Sequence, residues 1–446
     1  MRRTSTSGPA AAGRAVQFGR DPLGFLDDFR GTNAALVDTR LMVGPTLTFV
    51  LDPNLVRTVL VDDYNRYRRP DIQSGRTTRL TANGLIESED SLWQGQRDRL
   101  QPLFGRDHLA EYADTIGTFT TELTERWQHS NQVDLYSEMT ELTAQVISKT
   151  LFSTELDRSD IEQISRANAT IGDEFEMSLL SLIRQLLPTP PSAEYRSTVA
   201  EMHEWAESVI EQHREMSDPP GDLVTTMLEA EQNPEVDLPP NQVRDEVLTF
   251  LFAGHETTAL TLAYALAFVA NNPSVAQRVR TEARAVIDGE PQWTDLTDLN
   301  YTERVIRETL RLRPPSWGVF RQAKVESRLG ERRINQGDYL MLPQWALHRD
   351  SQYFDAPLEF EPDRWEEIEP SQTPAYFPFG AGPHACIGGQ LALTEAQLVL
   401  AALTAEFEFD VPENAIENLR PAGVLQPQDG VPAVVSPIEQ QSTIEE

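Results

Sequence analysis

The stretch FGAGPHACIGG, residues 379–389, holds the only cysteine of a 446-residue chain and sets four glycines around it. One thiol cannot close an intrachain disulfide, fill a four-cysteine cluster or build a cysteine-rich zinc site, so the fold must rest on a buried core in a reducing compartment. Free cysteines are mostly inert core residues, and Cys386 is either that or a lone ligand or nucleophile. The pattern Gly380, Gly382, Ala385 also spells a dinucleotide fingerprint. The preceding FPFG is a poor buried strand and Cys386 falls inside the motif, so a Rossmann site is rejected.

Working outward, the chain shows no repeat, no low-complexity linker and no composition break between residues 21 and 435. A flexible segment 1–20, one globular unit 21–435 and an acidic polar tail 436–446 are expected, as a monomer. The opening MRRTSTSGPAAAGR lacks an apolar run after its arginines, which argues against a secretory signal or membrane anchor and for a cytoplasmic protein. The formal net charge is −32, and Lys149 and Lys324 are the only lysines among 38 basic residues. Such acidity repels nucleic acid and anionic lipid and strains the compact state at low salt. A salt-rich cytoplasm, as in a halophile, fits this balance, because salt shortens the Debye length.

Helical periodicity runs through 91–104, 110–128, 134–152, 197–215, 240–271, 274–287, 300–312 and 387–405, which predicts a mainly α fold with a smaller β region. TLTFVLD (46–52) reads as a strand, after which Asp52 and Pro53 form an N-cap and first helical residue; Asn272 and Pro273 repeat the device. A strand pair is expected within 324–343, turning at Gly330 and Gly337, and two short strands near 418–434.

The stretch VLTFLFAGHETTALTLAYALAFV (247–269) is long enough to span a membrane, but its centre is polar, so it reads as a helix buried in a large core. Gly254 implies a distortion or a bulky neighbour. Thr257 can bond the carbonyl four residues back, and Glu256 adds an ionisable group. Together they suit proton delivery to a pocket; the plain alternative is a bent helix with an outward glutamate.

These stretches resemble the cytochrome P450 family of heme-thiolate monooxygenases. FGAGPHACIG is similar to its heme-binding loop, with Cys386 as axial thiolate and iron ligand. AGHETT (253–258) resembles its oxygen-activating helix, with Glu256 and Thr257 as acid and alcohol. ETLRLRPP (308–315) resembles its E-x-x-R helix at Glu308 and Arg311, and FEPDRW (360–365) supplies Arg364. LWQGQR (92–97) is similar to its W-x-x-x-R at Trp93 and Arg97. The E-x-x-R pattern alone is weak, since Glu211 with Arg214 and Glu417 with Arg420 also match it.

The resemblance implies heme b, contacted by Phe379, Gly380 and Gly254 and held at its propionates by Arg97, His384 and Arg321 with Trp93 assisting. Glycines let backbone approach a flat macrocycle, and the helix starting after Cys386 favours thiolate. Glu308, Arg311 and Arg364 form a buried network. One atom of O2 enters an apolar substrate such as a fatty acid or terpenoid, with electrons from a separate ferredoxin or flavodoxin and its reductase. Docking is expected at Arg97, Arg99 and Arg106 beneath Cys386. Leu85, Ile86, Phe250, Trp317 to Phe320 (Val319 included) and Val424 are pocket candidates, and Met177 to Ile183 a lid. A peroxide-driven enzyme of the same fold and a non-enzymatic heme or gas-sensing protein are the alternatives.

Overall fold

Nearly every face of the stretch around residue 258 is apolar, and a helix of that kind is stable only with neighbours on all sides. In the computed structural model, which describes residues 9–40, 45–70, 79–129, 131–174 and 191–438, it forms one uninterrupted helix, Gln242–Ala270. The hydroxyls of Thr257, Thr258 and Thr261 return to the carbonyls of Ala253, Gly254 and Thr257 at 2.9, 3.0 and 2.9 Å. These bonds satisfy the polar centre without breaking the helix. Gly254 marks a close approach: a Cβ there would lie 2.8 Å from Cδ1 of Ile147.

Around this axis pack Leu135–Phe152, Ala193–Glu215, Asn300–Leu312 and Gly389–Glu406. Asp90–Leu100, Arg106–Trp127 and Pro273–Val286 complete the helices expected from periodicity. Asp52 caps its helix by accepting from the Asn54 N–H at 2.8 Å. Asn272 makes no such bond; its amide donates instead to the Phe268 carbonyl at 2.8 Å, so only Pro273 of that pair acts as expected. Helices Arg158–Glu174 and Leu223–Gln232 were not expected. No single described helix is long and apolar enough to cross a membrane.

The expectation of a flexible segment 1–20 fails from Pro9 onward. Pro9–Arg20 is a helix whose Ala11, Ala15 and Phe18 are buried, with the Phe18 ring 5.0 Å from that of Phe49. The ordered chain also runs past 435, because strand Pro432–Pro437 pairs with Phe407–Asp410 and Gln132–Asp134.

The largest sheet orders Leu36–Thr39, Leu47–Val50, Tyr339–Leu342, Val319–Ala323 and Tyr67–Arg68, with only the second and third strands parallel. Gly330 and Gly337 take φ of +58° and +87° at the turns flanking strand Arg332–Ile334, as glycine permits. The hairpin Leu419–Pro421 with Leu425–Pro427 lies against the central helix, where Tyr264 donates to the Leu425 carbonyl at 2.7 Å.

Candidate active site

The cysteine loop is shaped by two left-handed glycines. Gly380 and Gly382 have φ of +71° and +72°, and a Cβ at 382 would sit 2.1 Å from the Leu60 carbonyl oxygen. The Cys386 N–H donates to the Phe379 carbonyl at 2.9 Å. The Cys386 side chain is thereby presented to a cavity rather than packed in the core. Burial pushes its pKa up, against a backbone N–H from Gly388 and the charge of Arg97. The following helix therefore does not by itself offset the cost of burying a thiolate, and a cation held by Cys386 would supply the charge that favours it.

Cys386 opens onto a cavity of about 350 Å³ that is mostly apolar. Leu85, Ile86, Phe250 and Val319 line it, together with Gly254, Thr257, Phe379 and Gly380. Phe250 stacks on Phe104 at 5.7 Å, and Ile86, 48% exposed, stands at the edge. Trp317 and Val424 do not line the cavity. Trp317 packs with Phe18 and Phe320 and donates its indole N–H to the Ala422 carbonyl at 3.1 Å, while Val424 packs on the main core. Met177 to Ile183 fall outside the described residues.

One rim of the cavity is cationic in a chain of charge −32. Arg97 donates to the Ala385 carbonyl at 2.9 Å and Arg321 to that of Phe320 at 2.8 Å. Arg69, which no motif announced, donates to the carbonyls of Leu85 and Ile86 at 2.6 and 2.9 Å and lies 3.0 Å from Nδ1 of His384. Among the described residues none of these three side chains is in an ion pair with a carboxylate. The Trp93 indole N–H is buried without a partner, its ring 4.0 Å from that of His384. Unneutralised guanidinium groups and an orphaned donor around one opening fit a bound dianion, as heme propionates would be.

His384, expected to hold a propionate, lies at the cavity rim beside Arg69. Burial and the charges of Arg69, Arg321, Arg97 and Lys324 push its pKa down to about 3. Arginine has no acceptor, so Nδ1 accepts from Arg69 and the ring proton rests on Nε2. His384 is a neutral donor.

Thr257 lines the cavity but Glu256 does not. The Glu256 carboxylate accepts from the Tyr136 hydroxyl at 3.0 Å and from the Gln426 amide, on the side of the hairpin 419–427. Burial raises its pKa, opposed by Gln426, Tyr136 and Arg420. The expected acid and alcohol are thus neighbours in sequence that face different ways. Glu395, on the helix after Cys386, was also missed: it lines the cavity, its Oε1 has no partner, and burial raises its pKa to about 8.

The third expected group is assembled. Glu308 accepts from Arg311 at 2.7 and 2.9 Å, from Arg364 at 3.0 Å and from the Trp365 indole at 2.9 Å. Arg311 also donates to the carbonyls of His348 and Glu359 at 2.9 and 3.0 Å. His348 in turn accepts from the Phe377 N–H at 3.0 Å, which carries the network to the root of the cysteine loop. On the outer face, Arg106 is exposed and Arg99 half-buried beside exposed Asp98 and Asp107, whereas Arg97 turns inward and drops out of the expected docking patch.

The family model for cytochrome P450 matches residues 13–432. Cyclooctat-9-en-7-ol 5-monooxygenase of Streptomyces melanosporofaciens is 33% identical over 89% of this chain and 86% of its own length. Pentalenene oxygenase of Streptomyces avermitilis is 28% identical over 94% of each chain. Cyclooctatin synthase of Streptomyces melanosporofaciens is 30% identical over 89% and 87% respectively.

Proposed function

The chain belongs to the cytochrome P450 family, and on that premise we propose that it is a heme-thiolate monooxygenase that inserts one oxygen atom of O2 into a terpenoid-sized apolar substrate. One observation carries the reading: the only thiol faces an apolar cavity whose rim holds three arginines bonded to main-chain carbonyls. The terpenoid class rests on the names of the relatives and on the apolar lining.

Cys386 would hold heme b, which supplies oxygen activation when bound, helped by electron density from its thiolate. Arg69, Arg97 and Arg321 would take the propionates, with His384 Nε2–H and Trp93 Nε1–H donating to them. Leu85, Phe250 and Val319 exclude water and hold the substrate by apolar contact. Thr257, whose hydroxyl donates to Ala253, is placed to turn and order a water in the cavity. Glu256 then serves as the reserve of protons behind it.

Electrons would come from a separate ferredoxin or flavodoxin with its reductase, docking near Arg99 and Arg106. The outward set of Glu256 favours one competing reading, a peroxide-driven enzyme that needs no acid in the cavity. The scarcity of lysine and the charge of −32 support a salt-rich cytoplasm.

The test is the absorption spectrum of the dithionite-reduced, carbon monoxide-bound protein, for wild type and Cys386→Ala. A strongly red-shifted Soret band lost in the variant supports thiolate ligation; an imidazole-type band in both rejects it. Turnover with peroxide but none with reduced ferredoxin would select the competing reading.

A further inference from the structure

One buried cation lies outside the site described above and is poorly met. Arg349 is 8% exposed, and among the described residues its Nε and Nη1 have no hydrogen-bond partner. Its guanidinium lies 3.6 Å over the ring of Trp345, which attracts a cation but offers no acceptor to the N–H groups in the guanidinium plane. The carboxylate it faces, Asp27, keeps Oδ1 3.7 Å from Nη1 and gives that oxygen to the Trp345 indole N–H at 2.9 Å.

Two more guanidinium groups crowd the same place. Arg30, just after helix Pro22–Asp27, sets its Nε 3.1 Å from the same Asp27 oxygen, yet that nitrogen is buried without a hydrogen bond. Arg313 lies 5.7 Å from the Trp345 ring and donates only to the Leu312 and Ile416 carbonyls, at 3.1 and 3.0 Å. Burial pushes Arg349 down to about 9, with Asp27 opposing and Arg313, Arg30 and Arg311 adding to the fall. Arginine keeps its charge in proteins, so this direction marks a cation with too little negative charge around it. Arg311 is balanced by Glu308, and Glu417 acts on Arg313 but not on Arg349. Asp27 is left as the one carboxylate common to all three.

We propose that Arg349, Arg30 and Arg313 hold one small inorganic anion, chloride in its simplest form, beside the Trp345 ring. Buried charge of one sign is costly unless an opposite charge and acceptors meet it, and an anion supplies both. The occupant must be small, because Nε and Nη1 of Arg349 are closed off from solvent. It enters on the side of Arg30, whose side chain is 22% exposed. The site also has a place in the fold. Arg349 follows His348, which accepts from the Phe377 N–H, and Gln352 donates to the Thr32 carbonyl at 2.6 Å. A bound anion therefore clamps the N-terminal helices onto the turn that roots the cysteine loop.

The test is the line width of the chloride NMR signal, measured with the purified protein reduced and carbon monoxide-bound, so that heme iron is diamagnetic. Chloride replaces gluconate at constant ionic strength, which keeps screening fixed. Wild type should show excess broadening that saturates as one site fills and that bromide reverses by competition. Arg349→Met and Arg30→Met should each weaken chloride binding by about 10-fold or more, the lower end for losing a hydrogen bond to a charged group. Asp27→Asn keeps an oxygen for the indole and removes the competing carboxylate, so it should tighten binding. Should Arg349→Met fail to fold, the partly exposed Arg30 and Asp27 variants decide the matter. No saturable broadening in wild type, wild-type affinity in the arginine variants, or weaker binding in Asp27→Asn would overturn the proposal.

Discussion

Arg69 sets its guanidinium 3.0 Å from Nδ1 of His384, across 315 positions of sequence, while its other nitrogen holds the carbonyls of Leu85 and Ile86. The same residue therefore ties the wall of the cavity to the cysteine loop and fixes the tautomer of the histidine. Arg69→Ala should weaken heme retention by about 1.5–3 kcal/mol, the range for hydrogen bonds to a charged group. The rate of heme transfer to an excess of apomyoglobin measures this. Arg69→Lys should recover only part of the loss, because a lysine cannot span two carbonyls and a ring nitrogen with a fixed fork.

That residue was illegible in the sequence, where Arg69 is one of three arginines in RYRRPD. Its place is set by pairing of Tyr67 with Ala323, a contact that no local pattern encodes. The long helices were legible because their apolar faces are wide. Arg158–Glu174 was not, since it buries only Ile164, Ala167, Asn168 and Gly172. Cys386 could be picked out because it sits in a dense motif, whereas Glu308 and Arg311 sit in a weak pattern and could be picked out only because it falls in order with that motif. The direction of Glu256 could not, because it depends on Gln426, 170 positions away. Trp317 misled for a related reason: an aromatic near a pocket strand serves equally well as core, and the helix Pro9–Arg20 supplies the Phe18 that covers it.

Glu308 is fully buried and accepts from two arginines, an indole and the Glu361 N–H. Glu308→Gln leaves Arg311 charged with too few acceptors. The loss should be about 3–5 kcal/mol, as when one partner of a buried ion pair is removed. Urea unfolding of the variant would show this. Because His348 links Arg311 to Phe377, the variant should also lose part of any red-shifted carbon monoxide band before it unfolds.

The segment 80–88 is tied to the central helix through carboxyl groups. Glu246 accepts from the Leu85 N–H at 3.0 Å, and Glu87 from the Thr81 hydroxyl at 2.7 Å. Burial raises Glu246 to about 8 and Glu87 to about 7, with Asp245 pushing both further and Glu87 adding to the rise of Glu246. Unfolded, both return to the ordinary value of 4.5. Between those values the folded state binds more protons than the unfolded state, so stability falls as pH rises. The melting temperature should decline from near pH 4.5 to about 8 in proportion to these two groups. Glu246→Gln should flatten the decline, and limited proteolysis within 80–88 should increase with pH in wild type more than in the variant. A wild-type profile in the variant would reject this assignment.

Salt should act on the whole molecule. Arg126 bridges Glu138 and Glu141, and Arg214 bridges Glu211 and Glu231, but 70 acidic against 38 basic residues leave a net excess of 32 carboxylates. Exposed pairs of this kind contribute only about 0–1 kcal/mol each, so screening them costs little. The repulsion among excess carboxylates acts over longer distances and is cut sharply when the Debye length falls from about 10 Å at 0.1 M to about 3 Å at 1 M. The melting temperature should therefore rise with KCl over that range. Sucrose, which strengthens burial without screening charge, separates the two effects. An increase with KCl that sucrose at equal osmolality fails to match would identify charge repulsion as the term being removed. A flat or falling response would mean that close ion pairs, rather than excess charge, dominate the surface electrostatics.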